Sequence, residues 1–193
     1  MAKNILVLVG DFTEDYEIMV PYQMLVMIGH NVDVVCPNKK KGDKIQTAVH
    51  DFSAEHQTYT EKLGHMFALN KTFDEVNPAD YQGLVIPGGR GCEYIKLNPK
   101  VVEIAEYFLK NQLPIAAICH GVELLTECPS MKGRKSTCYF TVQNSLKLTG
   151  NTYIEKEVDD IVIDGNLVTG VAWPAHPKWI RAFLELLGTK ISL

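Results

Sequence analysis

The chain has 193 residues and no apolar run near the ~20 residues that a membrane-spanning helix needs, so a membrane is not an expected partner. It also lacks a basic block. Only Lys39-Lys40-Lys41 cluster, and the net charge is −4, which argues against nucleic acid as the main partner. The five cysteines, Cys36, Cys92, Cys119, Cys128 and Cys138, are odd in number and show no Cys-x-x-Cys spacing, so neither a disulfide framework nor a structural zinc site is expected. No leader is evident, because Ile5-Leu-Val-Leu-Val9 is short and ends abruptly at Gly10-Asp11. Free thiols without a leader give a cytoplasmic expectation. The glycine-rich Pro87-Gly-Gly-Arg-Gly91 is not followed by Gly-Lys-Ser/Thr, which excludes a nucleotide P-loop. His50, His56, His65 and His176 make no His-x-x-x-His or Glu-x-x-His pair, so no metal and no other cofactor is expected.

What is present has the apolar content of an ordinary globular protein, 46%, and its length suits one domain over residues 1–193. Short apolar runs alternate with helical patterns. Strands are expected at Asn4–Val9, Val32–Cys36, Gly83–Ile86, Ile115–Ile118, Arg134–Phe140 and Asp160–Val168, the last turning through Asp164-Gly165-Asn166. Helices are expected at Glu14–Ile28, Pro99–Asn111 and Trp179–Leu187. The segment Asn38–Leu69 is less regular, with β-like pieces at Thr47–Phe52 and Gln57–Thr60. Continuously apolar strands between helices predict an α/β sandwich around a mostly parallel sheet, with the site beyond the carboxyl ends of the strands. Gly10–Pro21, Pro87–Tyr94 and the turn at Cys119 all lie at that edge.

The most informative stretch is Pro114-Ile-Ala-Ala-Ile-Cys119-His120-Gly121, followed by the helical-looking Val122-Glu-Leu-Leu. It reads as strand, sharp turn and helix, with small residues two positions either side of the thiol (Ala117 and Gly121). That is the layout of a nucleophile elbow. A helix start favours thiolate, so a reactive and partly exposed thiol is expected at Cys119. The plainer reading is a buried cysteine at a strand end.

Other residues are weighed against equally plain readings. His120 either serves the thiol or packs at a helix start. Glu14, Asp15 and Glu17 suit the first turn of a helix through its dipole. Glu17 stands apart, because Tyr16 and Ile18-Met-Val-Pro21 should partly desolvate it, and a carboxyl so placed can hold and donate a proton. The N–H groups of Gly88, Gly89 and His120 could stabilise an oxyanion. Glu93 is a candidate carboxylate partner for His120, or an ordinary acid at a helix start. His176, in Trp173-Pro-Ala-His-Pro177, either lines a pocket or packs.

Taken in order, Glu14-Asp-Tyr-Glu17 with Pro21, Leu84-Val-Ile-Pro-Gly-Gly-Arg90, Glu93, Ala117-Ile-Cys-His-Gly121, Lys132-Gly-Arg134 and Asp164-Gly-Asn166-Leu-Val-Thr169 resemble the ThiJ/PfpI superfamily over nearly the whole chain. The superfamily includes the parkinsonism-associated deglycase, PfpI-type intracellular proteases and plant glyoxalase III-type proteins. Thr47-Ala-Val-His-Asp-Phe52 with Gly64-His65 is most similar to one half of the tandem plant proteins. The resemblance implies a flavodoxin-like doubly wound sandwich of the class I glutamine amidotransferase kind. It implies Cys119 as nucleophile and redox-sensitive thiol, Glu17 as the carboxyl bonded to it and His120 as its partner. Glu93 matches a carboxylate that PfpI-type oligomers supply to a neighbouring chain's histidine, and a single copy implies a homo-oligomer. The chain departs from the pattern at Val122-Glu123, usually Pro-Gln, and at Gly91-Cys92, often Ala-Pro.

Three functions fit these residues. The favoured one is cofactor-independent, glyoxalase III-like or deglycase-like turnover of small dicarbonyls such as methylglyoxal, a hydro-lyase chemistry giving lactate. The second is a PfpI-type cysteine peptidase or amidase acting on peptides. The third is a non-catalytic oxidative-stress sensor or holdase.

Overall fold

The apolar runs pair into one sheet because each strand is covered on both faces. The computed structural model describes residues 1–191. Its elements are β1 (Asn4–Leu8), β2 (Thr13–Glu14), α1 (Asp15–Met27), β3 (Asn31–Val35), β4 (Lys44–Asp51), β5 (Thr60–Ala68), β6 (Gly83–Ile86), α2 (Gly91–Ile95), α3 (Pro99–Lys110), β7 (Ile115–Ile118), α4 (Gly121–Leu125), β8 (Lys135–Ser136), α5 (Gln143–Leu148), β9 (Thr152–Tyr153), β10 (Ile161–Asp164), β11 (Leu167–Gly170) and α6 (His176–Leu186). The main sheet runs β10-β11-β7-β6-β1-β3, all parallel except the β10–β11 hairpin. Numbered along the chain, its five parallel strands lie in the flavodoxin-like order 2-1-3-4-5. The chain is therefore a mixed α/β protein built around a mostly parallel sheet. No helix among the described residues is long and apolar enough to cross a membrane.

Alternate strand residues feed two cores, as the pleat requires. Ile5, Val7, Val85, Ala116 and Val168 pack beneath α1 and α6, with Ile18, Trp179 and Phe183. Leu6, Leu84, Ile86, Ile115 and Ala117 pack beneath α3 and α4, with Ile104, Phe108 and Leu124. Trp179 is fully buried, and its indole N–H donates to the Ala117 carbonyl at 3.1 Å, beneath the strand that carries the thiol. Trp179→Ala should cost about 3–5 kcal/mol of stability. Chemical denaturation measures this, and a loss below about 1 kcal/mol would show that the site collapses around the gap.

The irregular segment proves more ordered than its sequence suggests. β4 and β5 form a long antiparallel hairpin, and β2 pairs with β4 to make a second, three-stranded sheet. β5 is largely exposed, and its apolar residues Leu63, Met66, Phe67 and Ala68 do not alternate, so it carries no clear strand signature; the β-like piece expected at Gln57–Thr60 is a bend leading into it. The strand expected over Arg134–Phe140 shrinks to two residues and gives way to a 3-10 turn at Phe140–Val142.

Candidate active site

The strand β7 ends at Ile118, and Cys119 adopts φ +57° before α4 begins. A left-handed non-glycine residue costs about 1–2 kcal/mol, so the surrounding structure must enforce it. The Cys119 N–H donates to the Gly170 carbonyl of β11 at 3.0 Å. Gly121 lets the turn close, since a Cβ there would strike the Ile86 and Pro87 carbonyl oxygens. The sharp elbow is thus real, but the thiol is only 5% exposed, not partly exposed as expected. Burial and the nearby Glu17 carboxylate push its pKa well up, while the His120 and Gly89 N–H groups pull it down.

Glu17 is completely buried. It projects from α1, and its Oε2 accepts from the Gly88 N–H at 2.7 Å. Gly88 has no room for a side chain: a Cβ would lie 2.6 Å from Glu17 Oε2, 2.7 Å from Cys119 Cβ and 2.8 Å from the His120 nitrogen. Glu17 Oε1 is buried without a hydrogen-bond partner among the described residues. Burial first, then the charge of Glu14, raises Glu17 well above the ordinary carboxyl range; the Gly88 N–H, the Cys119 thiol and the Trp173 N–H oppose this. Glu17 and Cys119 therefore each resist ionisation beside the other. Groups coupled in this way titrate as a unit.

His120 stands at the start of α4. Its Nδ1 lies 3.3 Å from Cys119 Sγ and its Nε2 3.4 Å from Thr141 Oγ1. Burial pushes its pKa down to about 4, so the ring is neutral at neutral pH. It stacks on Tyr139 at 5.1 Å and meets Tyr59 edge-on at 5.8 Å. Glu93 Oε1 approaches Nε2 to 4.0 Å within the same chain, outside hydrogen-bond reach, and the Glu93 side chain is 47% exposed.

The structure thus gathers Cys119, His120, Glu17 and the Gly88–Gly89 turn, with Glu93 at the margin. Of the three expected oxyanion donors, the Gly88 N–H is already committed to Glu17, which leaves Gly89 and His120 facing the sulfur. His176 is not part of the cluster. It stacks on Trp179 at 5.8 Å, its Nε2 is buried without a hydrogen-bond partner among the described residues, and burial lowers its pKa to about 4. His65 binds Asp15 at 3.1 Å and His56 is exposed. No cluster of three His, Cys, Asp or Glu side chains among the described residues is placed to share a metal ion.

Several neighbours escape sequence reasoning. His50 and Glu61 face each other across the β4–β5 register, with His50 Nε2 3.0 Å from Glu61 Oε2. Glu61 in turn pairs with Arg90 at 3.2 Å, whose guanidinium lies 3.8 Å above the Phe12 ring. Tyr59 links this chain to the site by stacking on His50 at 4.2 Å. Tyr16, Phe52 and Trp173 continue the aromatic cover. A cavity of about 820 Å³ opens alongside, lined by Phe12, Lys39, Arg90, Glu93 and Tyr94, but Cys119 is not in its wall.

The sequence profile of the DJ-1/PfpI family covers residues 3–186. Protein DJ-1 homolog D of Arabidopsis thaliana is 48% identical over 98% of this chain, which spans 49% of that protein. Deglycase PfpI of Pyrococcus furiosus is 36% identical over 95% of this chain and 99% of its own length. The chain therefore spans about half of its plant relatives and nearly all of the archaeal one. Among solved structures, Drosophila melanogaster DJ-1beta superposes with a TM-score of 0.79 at 21% identity, covering 98% of this chain and 92% of that one. With its profile matched almost end to end, the chain belongs to the DJ-1/PfpI family.

Proposed function

We propose that this chain turns over small reactive carbonyl compounds, in a glyoxalase III-like or deglycase-like manner, with Cys119 as nucleophile and without added cofactor. The observation that carries this reading is the buried Glu17 carboxyl set against Cys119 at the strained elbow. With methylglyoxal, the Cys119 thiolate forms a bond to the aldehyde carbon, and the aldehyde oxygen takes a proton from Glu17, giving a hemithioacetal. Neutral His120 then removes the hydrogen on that carbon as a proton, and the new hydroxyl proton passes to the ketone oxygen, giving an enediolate. Return of the proton from His120 to the adjacent carbon leaves a thioester. Water cleaves it to lactate and the free thiol, so the sum is methylglyoxal plus water to lactic acid. In this reading the Gly89 and His120 N–H groups, which face the Cys119 sulfur, hold the oxyanion.

The deglycase name of the archaeal relatives supports the same chemistry on carbonyl adducts. A thiol only 5% exposed under an aromatic cover favours a small substrate over an extended peptide. The plant relatives are about twice as long, which supports a homo-oligomer, and the half-exposed Glu93 carboxyl is the candidate for its boundary. Lactate formation followed by NMR, without glutathione and after dialysis against chelator, tests the proposal. Glu17→Gln should lower turnover by about a hundredfold with the fold retained. Cys119-dependent cleavage of peptides without lactate would favour the peptidase. Oxidation-dependent oligomerisation with neither activity would favour the sensor.

A further inference from the structure

Three hydrogen bonds close into a ring behind Cys119. The Glu14 N–H donates to the Gly88 carbonyl at 3.1 Å, the Gly88 N–H to Glu17 Oε2 at 2.7 Å, and the Glu17 N–H to Glu14 Oε2 at 2.8 Å. The other Glu14 oxygen accepts from the His50 N–H at 3.3 Å. Glu14 is 1% exposed and Glu17 fully buried, and neither has an ion-pair partner among the described residues.

Two such carboxyls do not ionise together without a cation. Their surroundings divide the roles. Both Glu14 oxygens accept backbone N–H bonds, which favour a carboxylate, whereas on Glu17 only Oε2 has one within hydrogen-bond distance, from Gly88, the Cys119 thiol and the Trp173 N–H acting more weakly. We propose that Glu14 is a positioning residue that carries the negative charge of this pair and so keeps the proton on Glu17, facing Cys119. The proposal rests on Glu17 acting as the acid partner of the thiol, as described above.

The raised values are consistent with this division: Glu14 is pushed up to about 7 by burial, while Glu17 is raised well above its ordinary range by burial and by Glu14 itself. The other groups nearby do not supply the charge. Asp15, next along α1, is bound away by Thr47 and His65. The His50 ring from β4 is paired with Glu61. The Cys92 thiol of α2 donates to the Gly89 carbonyl at 3.0 Å, and His120 at the elbow is neutral.

The test is the pH profile of Cys119 alkylation by iodoacetamide, read by peptide mass mapping. In Glu14→Gln, Glu17 loses the neighbouring charge and ionises at lower pH. Its carboxylate then opposes the thiolate, so alkylation at neutral pH should slow about tenfold and the midpoint should move up. In a Glu17→Gln background the same substitution should change nothing further. An unchanged profile in folded Glu14→Gln, or equal slowing in both backgrounds, overturns the proposal and leaves Glu14 a helix cap. If Glu14→Gln unfolds, Glu14→Asp decides, since it keeps the charge: a wild-type profile supports the proposal and a shifted one overturns it. Because the readout is thiol titration, its failure is separable from failure of carbonyl turnover.

Discussion

Replacing Cys119 with serine is expected to lower lactate formation from methylglyoxal by a thousandfold or more, on the order seen when other enzymes lose their nucleophile. The substitution is nearly isosteric and keeps a small side chain at φ +57°, so the elbow itself should survive. What is lost is acidity. A serine hydroxyl ionises far above a thiol, and neutral His120, held down near 4 by burial, is a weak base for it. Glu17 offers no substitute, because it is disposed to hold a proton and not to take one. Turnover and thermal melting measured together check this. Retained turnover in the serine variant would remove Cys119 from the chemistry, and a collapse of the melting temperature would make the comparison one of folding.

The second large effect is expected at Gly88, which bears no chemistry in its side chain. Gly88→Ala would force a methyl group to within 2.6–2.8 Å of Glu17, Cys119 and the His120 nitrogen, distances that real Cβ atoms do not adopt. The clash is with the elbow as well as with the end of the Glu17 side chain, so rotation of Glu17 alone cannot relieve it. A displacement of about 1 Å in such a cluster costs about a hundredfold in rate. Overpacking adds a stability loss of about 1–3 kcal/mol. Steady-state turnover and urea denaturation of the variant give both numbers. Wild-type activity in Gly88→Ala would show that the turn, Glu17 and Cys119 need not be in contact for the reaction.

Much of this site is legible in the chain itself, because its signals are local. The elbow shows in Ala117-Ile-Cys119-His120-Gly121, where small residues must flank a tight turn, and the turn is found with Cys119 in the left-handed region. The strand–helix alternation announces the parallel sheet, since each short run is apolar on both faces. Glu17 stands out as an acid among apolar neighbours, and it is buried. These features depend on residues close together in sequence.

Tertiary structure decided the rest, because the remaining properties depend on what distant segments bring together. The β4–β5 hairpin shows in the sequence only as irregular β-like pieces, yet its register places His50 opposite Glu61 and sets Tyr59 against His120. Glu14 looks like an ordinary acid at a helix start, and it does cap the Glu17 N–H; only the pairing of Thr13 with Gly89 and of β2 with β4 buries it beside Glu17. The neutrality of His120, the burial of the thiol and the commitment of the Gly88 N–H follow in the same way. Ionisation and hydrogen bonding are set by the dielectric and the neighbours around a group, and those belong to the folded arrangement rather than to the order of residues.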